Sequence, residues 1–215
     1  VRMSAADGFP IAMHLAESRE EIELLGSRSG RFVDFLHQLG AWEPDNFPPN
    51  GRPLDYLKAL AEAHRALVVH GNYLDDEEIA FLARRADRMA VVYCPRTHAY
   101  FQHREHPLPK LLASGATVAL GTDGRASSPD LSVLAEMRFV ARVFPSIGPE
   151  TVLRLATLSG ARALGLDDRL GTIEPGKRAD LAVIALPDRE PADPHELLFD
   201  SDLSVIATWH RGKGN

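Results

Sequence analysis

Four short apolar runs mark the first part of the chain. They are Pro10-Ile11-Ala12-Met13-His14, Ala66-Leu67-Val68-Val69-His70-Gly71, Met89-Ala90-Val91-Val92-Tyr93-Cys94-Pro95 and Thr117-Val118-Ala119-Leu120-Gly121. Runs this short, continuous and rich in β-branched residues predict strands covered on both faces, as in a parallel sheet. The stretches around them carry helical spacing. Ser18 to about Leu39 is one, with Ser18 as N-cap and Glu20 and Glu21 in the first turn, where acidic side chains complement the helix dipole. Pro53–His64 and Asp75–Ala86 are two more, the latter with Ile79, Leu82 and Ala83 on one face. Leu131–Val143 and Pro149–Leu164 follow the fourth run, and a Pro-, Asn- and Gly-rich loop covers Glu43–Arg52. Four strand–helix units are half of an eight-fold β/α barrel.

The tail changes texture. Leu170–Lys177 contains the turn Glu174-Pro175-Gly176-Lys177, and Asp180–Leu186 and Leu203–His210 read as strands with only a loop between them. The expected organisation is a partial barrel over 1–165 and a small β segment over 166–215.

Composition narrows the function classes. Hydrophobic residues make up 45% and charged residues 25% of 215, the balance of an ordinary soluble globular protein. The net charge is −6 with no Lys/Arg cluster, which argues against nucleic acid or an anionic membrane surface as partner. No apolar run reaches the length of a membrane span. The single cysteine, Cys94, forbids an internal disulfide and fits a reducing, cytoplasmic setting; it reads as a small buried residue ending the third strand. The chain begins at Val1 rather than Met, so an upstream portion is expected to be missing.

Three of the four runs end in a residue with metal or proton chemistry: His14, with Glu17 three residues on; His70; and Asp123 in Gly121-Thr122-Asp123-Gly124. In β/α barrels the active site lies at the C-terminal ends of the strands, and imidazole plus carboxylate suits zinc and related divalent ions. A lone strand-end His or a lone Gly-Thr-Asp-Gly turn is ordinary structure; their conjunction on three strand ends is the signal. His103-Arg104-Glu105-His106 lacks the spacing of helical zinc-protease motifs, and His37, His64 and His195 read as surface residues.

At these residues the chain resembles the amidohydrolase superfamily, in the branch of guanine deaminases, adenosylhomocysteine-type deaminases and triazine hydrolases. His14-Leu15-Ala16-Glu17-Ser18 resembles its fifth-strand motif, and Val69-His70-Gly71 its sixth-strand His. Cys94-Pro95-Arg96-Thr97-His98 stands at the loop after strand seven, and Leu120-Gly121-Thr122-Asp123-Gly124 at the eighth-strand aspartate. Leu170-Gly171-Thr172-Ile173-Glu174-Pro175-Gly176-Lys177-Arg178-Ala179-Asp180-Leu181 is similar to the signature where such chains return to a β-sandwich. The resemblance implies an α/β fold: strands 5–8 of a (β/α)8 barrel, the C-terminal half, followed by part of the sandwich. The branch's first-strand His-x-His pair does not occur among the nine histidines, and Arg96-Thr97-His98 replaces its usual Ser-Asn pair.

The resemblance further implies one divalent metal ion, zinc with iron as the alternative, held here by His14 and Asp123. Asp123 doubles as base, His70 stabilises developing charge, Glu17 shuttles a proton, and Arg96 and His98 contact substrate. The implied reaction is hydrolytic deamination of a nitrogen heterocycle or nucleoside-like small molecule. Dechlorination or dealkylamination of a triazine-like ring, and a non-catalytic half-protein, are the alternatives. A homo-oligomer is expected at full length. The 215-residue piece alone is expected to be inactive and prone to association, because a half barrel exposes strand edges and apolar interior.

Overall fold

The computed structural model describes residues 1–214; Asn215, the last residue of the expected 166–215 segment, lies outside the described residues. In chain order the elements are α1 (Arg2–Asp7), β1 (Pro10–Leu15), α2 (Arg19–Ser27), α3 (Arg31–Gln38), α4 (Pro53–Leu60), β2 (Arg65–His70), α5 (Asp76–Ala83), β3 (Met89–Tyr93), α6 (Pro95–Tyr100), α7 (Leu108–Ser114), β4 (Thr117–Leu120), α8 (Val133–Val143), α9 (Pro149–Ala156), α10 (Leu158–Leu164), β5 (Leu181–Ile184), β6 (Val205–His210) and β7 (Lys213–Gly214). The chain divides into two compact units, residues 1–93 with 98–118, and residues 94–97 with 119 onward.

The first unit is built on the apolar runs. The sheet order is β1-β2-β3-β4. β1 and β2 pair in parallel from Pro10 opposite Arg65 to Leu15 opposite His70, and β2 and β3 in parallel from Ala66 opposite Met89 to Val69 opposite Val92. Leu15, Leu57, Val68, Val91, Leu108 and Leu111 are fully buried, so strands and flanking helices share one core. The fold is thus α/β with a parallel sheet, as the unbroken apolar runs predict.

Helix ends in this unit follow local chemistry. Ser18 caps α2 by accepting from the Glu21 amide at 3.2 Å. The expected single helix to Leu39 is interrupted because Arg28 takes a left-handed φ of 53°, its amide closing on the Leu24 carbonyl at 2.9 Å; Gly30, φ 90°, then starts α3. Asp75 and Glu78 form a reciprocal capping box on α5, each carboxylate accepting the other's amide at 2.9 Å. Glu78 also accepts the Leu54 amide at 3.1 Å, which ties the start of α4 to α5. Burial raises its pKa, opposed by those amides.

In the second unit α8 packs against α9, and α9 against α10, with Val140 and Val152 fully buried. The expected helix Pro149–Leu164 breaks at Thr157, whose φ of −118° and ψ of −89° are not helical. The tail is a three-stranded antiparallel sheet, β5-β6-β7, with Leu181 opposite Trp209 and Trp209 opposite Gly214. A 3-10 turn, Pro194–Leu198, lies in the segment expected to be plain loop. Arg138 of α8 holds that segment by donating to the carbonyls of Leu198 at 2.8 Å and Leu203 at 2.7 Å.

Gly171 in the tail motif has a physical reason for its identity. Its φ is 91°, and a Cβ there would lie 2.8 Å from the Ala161 Cβ and 2.9 Å from the Leu158 Cα. Gly171→Ala is therefore expected to destabilise the protein by about 2–4 kcal/mol, combining left-handed strain with a backbone clash. Urea unfolding checks this; a change under about 0.5 kcal/mol would show that the turn re-forms without cost.

Candidate active site

The two histidines at the ends of β1 and β2 meet, although the pleat alone would separate them. In the parallel register His14 lies opposite Val69 and Leu15 opposite His70, so alternation sends the two imidazoles to opposite faces. His70 instead takes a φ of 71°, followed by Gly71 at 65°. That turn takes the His70 side chain out of the alternation, and its ring centroid lies 4.9 Å from that of His14 at a 38° tilt. His70 is 1% exposed, and its Nε2 is 3.5 Å from Glu17 Oε1. A left-handed non-glycine residue costs about 1–2 kcal/mol and persists where surrounding contacts over-determine it.

Those contacts are specific. The Ala16 and Glu17 amides both donate to the carboxylate of Glu21, at 2.8 and 2.6 Å. Burial pushes the Glu21 carboxyl up, and the amides oppose that shift. The Gly71 amide donates to Leu15 O at 3.1 Å, the Tyr73 amide to Ala16 O at 3.0 Å, and Asn72 Nδ2 to Glu17 O at 2.9 Å. The loops after β1 and β2 are thereby stitched together, which fixes Glu17 beside His70. From beneath, His106 donates through Nε2 to the His70 carbonyl at 3.0 Å and stacks on Tyr93 with centroids 3.8 Å apart. Gly71 has little choice of side chain, since its φ of 65° is strained for any other residue and a Cβ would also press on Leu74 and Val91.

Burial holds His106 neutral, its pKa pushed down to about 3. The unfolded chain titrates near 6.5 and so takes up a proton that the folded state excludes. Stability is therefore expected to fall as pH drops from about 6.5 toward 3, with a His106 contribution of up to about 1.4 kcal/mol per pH unit. His106→Phe is expected to be about 1–2 kcal/mol less stable at pH 7.5, for the lost hydrogen bond, and less acid-sensitive between pH 6.5 and 5. Urea midpoints across that range check it; parallel pH curves for the two proteins would refute it.

The second unit carries Asp123 and its supports. Asp123 also has a left-handed backbone, φ 55°. Ser127 Oγ donates to Asp123 Oδ2 at 3.0 Å, and Thr97 Oγ1 lies 2.9 Å from Ser127 Oγ. Thr97 is 1% exposed, so a buried hydroxyl relay orients the carboxylate. Arg96 donates from its backbone amide and from Nε to the two oxygens of Glu136, at 2.9 and 2.7 Å, and pairs with Asp130 at 2.5 Å. Glu136 is fully buried and its pKa is raised by burial, with Arg96 opposing. Asp130 is pulled down to about 2, chiefly by its hydrogen bond to Arg96. His98, in the first unit, donates through Nε2 to the Arg104 carbonyl at 2.7 Å, and burial lowers its pKa. The Arg96 guanidinium and the His98 ring are thus both engaged with protein groups.

Glu21, Thr97, His106 and Ser127 support the site, a role the sequence reading did not give them. The first-turn position of Glu21 and the hydroxyl next to Arg96 were visible as residues but not as supports. Within His103-Arg104-Glu105-His106, His106 is buried at 1% exposure, and its role is to hold the His70 carbonyl. His37 and His64 are exposed and His195 partly so, and Cys94 is a buried thiol, all as the sequence reading placed them.

Comparison with known proteins decides the family. The model of the amidohydrolase family matches residues 1–213. The chain belongs to the amidohydrolase family. Among amidohydrolase relatives, the 5-methylthioadenosine/S-adenosylhomocysteine deaminase of Moorella thermoacetica is 34% identical over 202 residues, covering 90% of this chain and 42% of the relative. That of Pyrococcus furiosus is 33% identical over 210 residues, covering 94% and 43%. A zinc-bound adenosine deaminase from Xanthomonas campestris shares the fold with a TM-score of 0.79 at 31% identity, over 100% of this chain and 47% of that one. This amidohydrolase chain spans about half the length of the curated relatives it matches.

Proposed function

We propose that the protein carrying this chain is a metal-dependent hydrolase of non-peptide carbon–nitrogen bonds that deaminates a nitrogen heterocycle or nucleoside-like compound. The observation that carries the proposal is the placement of the Glu17 carboxylate 3.5 Å from His70 Nε2, with the His14 ring alongside, at the C-terminal ends of parallel strands. The family membership and the deaminase names of the relatives support the same reading. In this reading β1–β4 are barrel strands five to eight, residues 1–165 belong to the barrel, and 166–215 are one part of a sandwich.

The donor set suits a divalent metal. His14 offers imidazole nitrogen and Asp123 carboxylate oxygen, the ligand chemistry of zinc and iron, and the hydroxyl relay behind Asp123 is what a ligating carboxylate needs for a fixed orientation. The chemistry such an ion supplies when bound is Lewis acidity and activation of water near neutral pH. Asp123 takes the proton lost by the attacking water. Glu17 gives its proton to a ring nitrogen, takes up the hydroxyl proton of the adduct and passes it to the departing amine, which leaves as ammonia; the proton held by Asp123 then returns Glu17 to its acid form. His70 Nε2 hydrogen-bonds the oxygen that gains negative charge at the attacked carbon. Arg96 and His98, proposed from the sequence as substrate contacts, shape the loop after β3 through their own hydrogen bonds, and any contact they make with substrate is made from that fixed frame.

The test is a panel of purines, pterins, nucleosides and chlorinated triazines given to the purified full-length protein, with ammonia and chloride measured separately. Ammonia release from a nucleoside or free heterocycle supports deamination. Chloride release without ammonia transfers the reading to dechlorination, and neither product from any compound sinks it.

A further inference from the structure

Next to the Glu17 loop the first unit has an open hollow of about 460 Å³, whose walls include Arg19, Arg52, Tyr73, Asp75, Glu78 and Arg104. Its charged groups are unequally committed. Arg52 is paired with Asp75 at 2.7 Å and Glu77 at 3.0 Å. Asp75 and Glu78 are consumed by the capping box of α5, and Glu78 also by the Leu54 amide. The acidic part of the wall is therefore already neutralised or hydrogen-bonded. Arg19 and Arg104 are exposed, and among the described residues neither guanidinium is held by a carboxylate. The Arg104 guanidinium lies 4.8 Å from the centre of the Tyr73 ring, whose hydroxyl is 3.3 Å from His103 Nδ1. Two uncommitted guanidinium groups and a fixed aromatic ring thus face a hollow with no uncommitted carboxylate among those walls.

The hollow shares its loops with the reacting groups. Arg19 follows Glu17 by two residues, Tyr73 follows His70 by three, and the Tyr73 amide is bound to Ala16 O at 3.0 Å. The hollow is thus walled in part by residues of the two loops that carry Glu17 and His70. Its volume is in the range of small-molecule subsites and admits an arm of several heavy atoms. Guanidinium groups recognise carboxylate and phosphate by paired, charge-assisted hydrogen bonds, and the ring of Tyr73 suits the apolar linker of such an arm.

We propose that this hollow is a subsite for an anionic arm of the substrate, a carboxylate or a phosphate, held between Arg19 and Arg104 against Tyr73. The inference rests on the reading of Glu17 and His70 as reacting groups, and it narrows the substrate class to heterocycles or nucleosides with an anionic substituent. The rival account is that the two arginines are ordinary solvated surface charges, in which case substrate charge has no bearing on their removal.

The experiment uses the full-length metal-loaded protein with three probes: adenosine, adenosine 5′-monophosphate and the 5′-carboxylic acid of adenosine. Wild type, Arg19→Ala/Arg104→Ala and Arg19→Lys/Arg104→Lys are compared, the last keeping both charges as a check that the hollow stays folded. The wild type is expected to prefer at least one anionic probe, and the phosphate and carboxylate arms show which. The double alanine variant is expected to lower that preference, as a ratio of kcat/KM values, about 30- to 100-fold, mostly through KM, with the double lysine variant in between. Equal ratios in all three proteins would overturn the inference. The same probes are titrated calorimetrically. If no probe is deaminated but the anionic ones bind in an arginine-dependent way, the subsite stands and the deamination reading falls. If binding ignores both substrate charge and the arginines, the subsite falls whether or not deamination occurs.

Discussion

Glu17→Gln lowers kcat of the full-length protein about 10³-fold while its bound metal stays in place. The expectation follows from geometry. Glu17 Oε1 stands 3.5 Å from His70 Nε2, on a loop whose amides are clamped by Glu21 and whose carbonyl is held by Asn72. Glutamine keeps the shape and those backbone bonds but cannot give up and regain a proton, so the fold and the neighbouring histidines are left undisturbed. Elemental analysis and steady-state kinetics on one preparation check both halves. Loss of metal together with activity would make Glu17 a ligand. Retention of both would remove it from the reaction.

Asp123→Ala is expected to act in the opposite pattern, with metal content falling below half that of the wild type and kcat/KM falling by about 10³-fold or more. Two roles are lost at once: an anionic oxygen for the cation and an acceptor for the proton of water. A milder companion is Ser127→Ala, which removes the hydroxyl 3.0 Å from Asp123 Oδ2 and is expected to cost about 10- to 100-fold in metal affinity with the carboxylate still present. If Asp123→Ala binds metal as tightly as the wild type, the ligand assignment is wrong.

The parts legible in the sequence are those in which a local pattern and a chemical residue coincide. The four apolar runs became the four strands of one sheet, to within a residue or two at each end. His14, Glu17, His70 and Asp123 could be picked out because each stands at or just past such a run. The helical stretches were legible as helical but not in their breaks, because Arg28 and Thr157 are residues of ordinary composition in unusual backbone states. α6 and α7, six and seven residues long, are too short for an apolar period to register. The supports of the site were illegible for another reason. His106 reaches the His70 carbonyl across 36 residues, and Thr97 reaches Ser127 across 30. Nothing in either neighbourhood announces a partner that only the folded chain brings near. The twist that unites His14 and His70 was equally invisible: simple alternation along β2 predicts the wrong face, and the exception at His70 is visible only in its φ.

That exception has a consequence for how the molecule can change. Ala16, His70 and Asp123 all hold left-handed backbones that suit glycine better than themselves, at about 1–2 kcal/mol each. Relief of backbone strain, taken alone, favours glycine at these positions. Two of the three, His70 and Asp123, are the side chains assigned here to the chemistry. The site thus sits where thermostability and reactivity pull the sequence in opposite directions. A variant library screened only for melting temperature is drawn toward proteins that are sturdier and inert.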